Sequence, residues 1–120
     1  MKYMFLIYHD ENAWHEHSEA ERQDIYRQYR ELIQRLQSQG KYLAGDQLQS
    51  ANTARTVRVR EGKQLLTDGP FAETREQIGG FFMIEAKDLR DAESIAAQIP
   101  SARMGAIEIR PVVEPQAATA

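Results

Sequence analysis

The sequence predicts a ferredoxin-like α+β domain with the order βαββαβ and a β-hairpin inserted in its middle connection. Two segments, residues 2–8 and 79–86, are apolar on both faces, as strands in the centre of a sheet are. Two segments with apolar residues at helical spacing each lie between strand-like segments. Right-handed crossovers in this topology place the first and third core strands in the centre of the sheet, in agreement with the pattern.

The chain of 120 residues is predicted to form one domain over residues 1–114, followed by a frayed tail at 115–120. Without cysteine, it has no thiolate chemistry. We expect a soluble, cytoplasmic protein, because the N-terminal apolar run is too interrupted for a signal peptide and no run could span a membrane. A net charge of -3 without a long basic run argues against nucleic-acid binding.

The first strand, residues 2–8, alternates between two apolar faces, with Tyr3, Phe5 and Ile7 on one and Met4, Leu6 and Tyr8 on the other. A polar loop is predicted next. Ser18 and Glu21 then form a capping-box signature that begins a helix. Its apolar stripe consists of Ile25, Tyr29, Leu32, Ile33 and Leu36. Gly40 marks the expected end of the helix.

Residues 41–48 resemble an irregular strand in which Gly45 marks a bulge. The arms of the inserted hairpin, residues 54–60 and 63–68, flank a two-residue Glu61-Gly62 turn. We expect Val57 and Val59 to face inward. The residues predicted to face water are Thr56, Arg58 and Arg60.

After the strand at 79–86, Asp88 is placed to cap a second helix that Pro100 ends. Its apolar stripe is Leu89, Ala92, Ile95, Ala96 and Ile99. The last strand, from Ala106, alternates apolar and charged residues. Two helices cover only one face of such a sheet, and the other face would expose a large apolar patch. We therefore predict a homodimer in which two sheets pack face to face, with a cleft between sheet and partner.

The stretch TDGPFAETREQIGGFF, residues 67–82, contains the most suggestive polar cluster. Asp68 begins a turn that Gly69 and Pro70 shape, and this turn chemistry explains the residues without any site. Alternatively, Asp68 lies at the mouth of a cleft. Glu73 and Glu76 would then orient a polar ligand or a metal, and Arg75 would pair with a carboxylate substrate. The glycine pair at 79–80 indicates a close approach of the backbone to a neighbouring strand or to a ligand.

The segment DGPFAETREQIGG resembles the signature of the DGPF-type YCII-related family. MKYMFLIYHDE, TVRVREGKQLLTDGPF and IEIRPVVE resemble other segments of this family. The resemblance implies a dimeric α+β barrel of bacterial type, mostly of unknown function, often associated with extracytoplasmic-function sigma factors. The histidine and aspartate pair of some relatives is missing, since IYRQYRE contains no histidine and Ile99 stands where the aspartate would be. Asp68 is the matched motif residue that we nominate for catalysis.

Three histidines, His9, His15 and His17, lie within nine residues among carboxylates. Imidazole and carboxylate suit a divalent metal, but a polar loop without rigid support favours a solvated segment. His9 ends a central strand, where it could point into the cleft and act as a base near neutral pH. We expect Trp14 to pack this loop against the first helix.

Our leading hypothesis is a homodimer that binds a small polar or aromatic molecule between sheet and helices. We expect Asp68 and His9 to lie near the mouth, with Tyr8, Phe82 and Met83 lining the cleft. Any catalysis would be proton transfer without an organic cofactor, since no phosphate-binding glycine motif is present. Two alternatives are a non-catalytic regulatory protein associated with a sigma factor and a metal-dependent enzyme using residues 9–17.

Overall fold

The computed structural model describes residues 1–115, and residues 116–120 of the predicted frayed tail lie outside this range. Within it, six strands and three helices follow one another. They are β1 (Lys2–His9), α1 (Glu11–Glu16), α2 (Glu19–Ser38), β2 (Tyr42–Gln47), β3 (Arg55–Arg60), β4 (Lys63–Asp68), β5 (Gln77–Glu85), α3 (Leu89–Ala96) and β6 (Ala106–Pro111). None of the helices in this part of the chain has the length and apolar character needed to cross a membrane.

Four strands form one antiparallel sheet in the order β2-β5-β1-β6. The two strands that are apolar on both faces, β1 and β5, lie in its centre, as predicted. The mixed α+β class is confirmed, and the strand order is consistent with a ferredoxin-like fold. β3 and β4 form a separate two-stranded sheet.

The hydrophobic core lies on one face of the four-stranded sheet, beneath α2 and α3. Its buried residues on the strands are Tyr3, Phe5, Ile7, Phe82 and Ile84, and those on and after the helices include Leu32, Leu36, Ala92, Ile95 and Ile99. We call the opposite face the open face; it consists of Met4, Leu6, Tyr8, Phe81 and Met83. These five side chains are only half-buried, and none of them belongs to the core cluster under the helices.

The predicted start of α2 is confirmed, since Ser18 and Glu21 form the complete capping box. Asp88 also caps α3, accepting a hydrogen bond from the backbone N–H of Asp91. Two details differ from the prediction. Leu89 is 49% exposed, because the first helical residue lies beyond the core contact. Pro100 does not end α3, whose last residue is Ala96, but begins a short 3-10 turn four residues later.

The predicted polar loop after β1 is wrong in part, because residues 11–16 form α1. Asp10 caps this helix by accepting hydrogen bonds from the N–H groups of Asn12 and Ala13. Six residues are less than two helical turns, which is too short for an apolar period to appear in the sequence. The feature of the sequence that could have indicated α1 was Asp10, a residue type that is preferred at the N-cap of helices.

The hairpin turn at Glu61-Gly62 forms as predicted, with positive φ at both residues, as a type I′ turn requires. The expectation that Val57 and Val59 face inward is wrong, since they are 56% and 58% exposed. Leu66, which pairs with Val57 across the hairpin, is also exposed. The alternation is present, but neither face of the hairpin is buried against the rest of the chain.

Candidate functional site

A cavity of about 390 Å³ lies between the four-stranded sheet and α2, near the end of β1. This volume is in the range of small-molecule sites. Most of its wall is aromatic or aliphatic, with a few polar side chains. The side chains that carry its chemistry are His9, Trp14, Tyr26, Tyr29, Arg30, Tyr42, Asp46, Gln47, Phe82 and Ser101.

One wall of the cavity is a single face of α2. Tyr26, Tyr29, Arg30 and Ile33 follow the spacing i, i+3, i+4 and i+7, which places them on one side of a helix. Three of these residues carry polar groups on an otherwise apolar face. The apolar stripe of α2 that packs on the core therefore lies next to a cavity-lining face of the same helix that carries polar groups.

His9 reaches the cavity because of the strand period and a neighbouring glycine. It lies two residues after Ile7, so it shares the helix-covered face of β1. A Cβ on Gly79 would collide with the His9 imidazole ring, so the ring occupies space that only glycine leaves open. Gly80 has a different neighbour, the backbone carbonyl of Asp46 in β2. Gly79 thus leaves space for the His9 side chain, and Gly80 allows the backbone of β2 to approach closely.

Aromatic rings form the inner part of the cavity. Phe82 makes edge-to-face contacts with Tyr29 and Tyr42, with ring centroids 6.1 and 5.2 Å apart. Gly45 allows this arrangement, since a Cβ there would collide with the Tyr42 hydroxyl and the Phe82 ring. The rings are therefore held by packing from three elements, which gives the cavity a defined shape.

The two tyrosine hydroxyls are hydrogen-bonding groups that stay protonated. Burial raises the pKa of Tyr29, an effect larger than the opposing hydrogen bond with Ser101. Burial also raises the pKa of Tyr42, and the negative charge of Asp46 adds to it. Near neutral pH both hydroxyls are thus neutral; that of Tyr42 can donate a hydrogen bond to a ligand, and that of Tyr29 shares a hydrogen bond with the Ser101 hydroxyl.

Helix α1 brings Trp14 to the cavity. The indole packs edge-to-face on Tyr26, with centroids 5.5 Å apart, which agrees with the predicted packing of this segment on the first long helix. Glu11 fixes the helix to a distant loop by accepting hydrogen bonds from the Ala51 N–H and the Ser50 hydroxyl, both at 2.7 Å. The backbone hydrogen bond from Ala51 is the main reason that the pKa of Glu11 is lowered.

The structure brings two of the predicted site residues to this cavity, His9 and Phe82. Tyr8 lies on the open face, where its hydroxyl donates to Glu108 at 3.0 Å. Burial, followed by this hydrogen bond, raises the pKa of Tyr8. Met83 also lies on the open face, opposite Met4. The strand alternation therefore divides the predicted lining residues between the two faces of the sheet.

The polar residues predicted from the DGPF segment lie outside the cavity lining. The Asp68 side chain is 87% exposed and forms an ion pair with Arg55 across the hairpin, at 2.9 Å. Arg75 contacts Asp10, the residue that caps α1, at 3.3 Å. Glu73 is exposed. The charged residues of the DGPF segment thus pair with different elements: Asp68 pairs within the hairpin, and Arg75 pairs with the cap of α1.

The histidine-rich segment does not assemble a cation site in residues 1–115. No group of three or more His, Asp or Glu side chains in this range is arranged to hold a metal ion. His9 belongs to β1 and His15 to α1, while His17 follows that helix and contacts Glu21 at 3.8 Å. The three imidazoles are therefore distributed over three different structural environments.

Sequence reasoning missed Tyr26, Arg30 and Tyr42 as cavity residues. The signal for the first two was present, because they share the helical spacing of the apolar stripe of α2. Tyr42 had no such signal, since it lies on an edge strand whose register shifts between Tyr42 and Ala44.

Two comparisons with known proteins found similar sequences. The family model of the YCII-related domain matches residues 1–116. The chain is similar to an uncharacterized protein of Rhizobium meliloti (strain 1021), with 32% identity over 114 residues, which cover 93% of this chain and 92% of that protein.

Proposed function

The chain belongs to the YCII-related domain family, and on this premise we propose that it binds a small molecule in the aromatic cavity and that His9 exchanges a proton with it. The observation that supports this most strongly is the His9 ring, which Gly79 admits to a largely apolar cavity of about 390 Å³. Residues 68–71, Asp-Gly-Pro-Phe, support assignment to the DGPF type within the family.

The division of roles follows from the side chains present. Imidazole can accept or donate a proton near neutral pH, which suits a general acid or base. The neutral hydroxyls of Tyr29 and Tyr42 suit the orientation of a polar group of the ligand. The surrounding rings exclude water and favour a flat, partly apolar molecule. Asp68 takes no part in this proposal, since it lies outside the cavity lining.

The test of cavity binding is a fragment screen followed by NMR on isotopically labelled protein. Ligands should shift the signals of His9, Phe82 and the Trp14 indole together. His9→Gln should abolish proton exchange, for example deuterium uptake by a bound fragment, and leave the shifts of Phe82. His15→Gln, on α1 and outside the cavity lining, is the matched control. A screen whose hits shift only residues elsewhere would overturn the proposed site.

We also propose that the protein is a homodimer formed through the open face. The five apolar or aromatic side chains of that face come from adjacent strands, and a patch of this kind is typical of an interaction surface. A second copy is self-complementary to it through two-fold symmetry. Native mass spectrometry at micromolar concentration should give twice the chain mass of 13.8 kDa. A monomer under these conditions would contradict the proposal.

We propose as a second candidate function regulation through a sigma factor, the partner that the family resemblance implies; the exposed hairpin offers a surface for a protein contact. Val57, Val59 and Leu66 lie together on one of its faces and are each more than half exposed. Under this proposal, co-purification with a sigma factor should be lost in a Val57→Asp variant. It should persist in Leu89→Asp, which places the same charge on an exposed residue of α3. Equal loss in both variants would argue against the hairpin as the contact.

A further inference from the structure

We infer that the ligand of the cavity is a small aromatic carboxylate whose anionic group binds the Arg30 guanidinium. This inference rests on the proposed function and specifies the substrate class of the same cavity. Its basis is a cationic side chain on a wall of aromatic and aliphatic residues, and the guanidinium donors of this side chain have no partner in residues 1–115.

Arg30 differs from the three other arginines of α2 in its partners. Arg22 pairs with Glu19, Arg27 pairs with Asp24 and Glu31, and Arg35 donates to Gln98. Each of these guanidinium groups therefore has an acceptor on its own surface. The Arg30 guanidinium, by contrast, forms no hydrogen bond or ion pair within residues 1–115.

The sequence explains why Arg30 has no partner on its own helix. Side chains interact along a helix at spacings of three and four residues. At these spacings Arg30 has Tyr26, Arg27, Ile33 and Gln34, none of which is a carboxylate. The five N–H donors of the guanidinium are thus available at the edge of the cavity.

The other charged groups of the lining do not neutralise Arg30. Asp46 lies near Tyr42, on whose pKa its charge acts, and no ion pair joins it to Arg30 within residues 1–115. His9 approaches from the opposite element, β1, and adds no negative charge. An incoming anion therefore has a cationic group that no acid of the described chain already satisfies.

The remaining wall selects an aromatic anion over an aliphatic one. Trp14, Tyr26 and Phe82 offer ring faces and edges against which a second ring can pack. A planar guanidinium binds a carboxylate with two parallel hydrogen bonds, which is stronger and more directional than a neutral contact. A flat ring that carries one carboxylate satisfies both features within the available volume.

The experiment compares three probes of similar size: 4-hydroxybenzoate, its neutral analogue 4-hydroxybenzamide, and cyclohexanecarboxylate. Binding is followed by the NMR shift of the indole N–H of Trp14, the single tryptophan of the chain. We expect 4-hydroxybenzoate to bind about tenfold or more tighter than either other probe, which is the effect of one charged hydrogen-bonded contact that is partly solvated.

Two variants of α2 locate the source of this preference. Arg30→Gln should reduce the affinity for 4-hydroxybenzoate to that for the amide. Arg27→Gln removes the same charge from an exposed position outside the cavity lining and should keep the preference. Both sites are exposed, so both variants should fold, and far-UV circular dichroism checks this.

Three results would overturn the inference. If the amide binds as tightly as the carboxylate, the cavity binds aromatic molecules but does not select an anion. If both variants weaken 4-hydroxybenzoate equally, the effect is one of net charge and Arg30 is not the anchor. If no probe shifts Trp14, the ligand class is wrong, and the fragment screen at His9 and Phe82 then decides separately whether the cavity is a site.

Discussion

The two faces of the four-stranded sheet are built from the same strands but differ in burial. On the covered face, Phe5 and Phe82 face each other and are almost completely buried under the helices. On the open face, the next pair, Leu6 and Phe81, is equally apolar and only half-buried. Both faces are apolar, so the composition of a face does not decide whether it becomes the core. The face that α2 and α3 cover becomes the core.

The covered face also changes character along its length. Near the middle of β1 it is a packed core, whereas at the end of the strand the apolar residues give way to His9. Two glycines on neighbouring strands leave room here for side chains. Gly79 leaves room for the His9 ring, and Gly45 leaves room for Tyr42 and Phe82. The candidate site lies where the close packing of the covered face ends.

The largest expected effect is the loss of a core ring. Phe5→Ala should lower the free energy of unfolding by about 3–5 kcal/mol, as deletion of a buried Phe side chain does. Phe81→Ala is the matched change on the open face. Its effect should be smaller and should depend on protein concentration, because it acts through assembly. Urea unfolding at two concentrations separates them, and equal, concentration-independent losses would remove the distinction between the faces.

Disruption of the open face comes next in size. Leu6→Asp should raise the dissociation constant of the proposed dimer by at least about 100-fold, since it buries an unpaired charge at an apolar contact. Sedimentation velocity measures this effect. Leu89→Asp, an exposed position at the start of α3, should leave the assembly unchanged. A Leu6→Asp protein that remains dimeric would show that the contact lies elsewhere.

The glycine pair tests how the covered face makes room for the site. Gly80→Ala should cost about 1–3 kcal/mol, because the new Cβ meets the backbone carbonyl of Asp46. Gly79→Ala should leave the unfolding free energy nearly unchanged and displace the His9 ring, a side chain that can rotate away. The imidazole NMR signals of His9 report the second effect. Unchanged His9 signals in Gly79→Ala would contradict the close approach.

The smallest effect concerns the attachment of α1, which holds Trp14 at the cavity. Hydrogen bonds, first of all those from the backbone of Ala51 and Ala13, lower the pKa values of Glu11 and Asp10 respectively. Their stabilisation is therefore complete above the ordinary values of 4.5 and 3.8 and is lost as the pH falls through the lowered ones. Trp14 fluorescence should change in that acid range before the far-UV circular dichroism does.

A charge-removing variant separates this attachment from general acid effects. Glu11→Gln should show part of the fluorescence change already at neutral pH, since it weakens the contacts with Ala51 and Ser50. Glu16→Gln, on the same helix and exposed, should behave like the unmodified protein. If both variants match the unmodified protein at neutral pH, Glu11 does not hold the helix.

The order of elements and the capped start of α2 were predictable because their signals are local. Ser18 and Glu21 stand at fixed spacing, and the alternation in residues 2–8 is visible without any partner. The position of His9 at the end of a central strand was also predicted. By contrast, Arg30 and Tyr42 required knowledge of which elements lie opposite each other. The helix α1 escaped detection because its six residues make less than two helical turns, too few for an apolar period to appear.

The sequence by itself determined the strands, the helices α2 and α3 and the hairpin turn, because periodicity and capping act over a few residues. The general rule of right-handed crossovers added the central position of β1 and β5. Only the tertiary structure decided that His9 meets Gly79, that the Arg30 guanidinium forms no ion pair within residues 1–115, and that Val57 and Val59 remain exposed. These facts depend on contacts between residues far apart in the chain, and a local pattern carries no information about which face another element will cover.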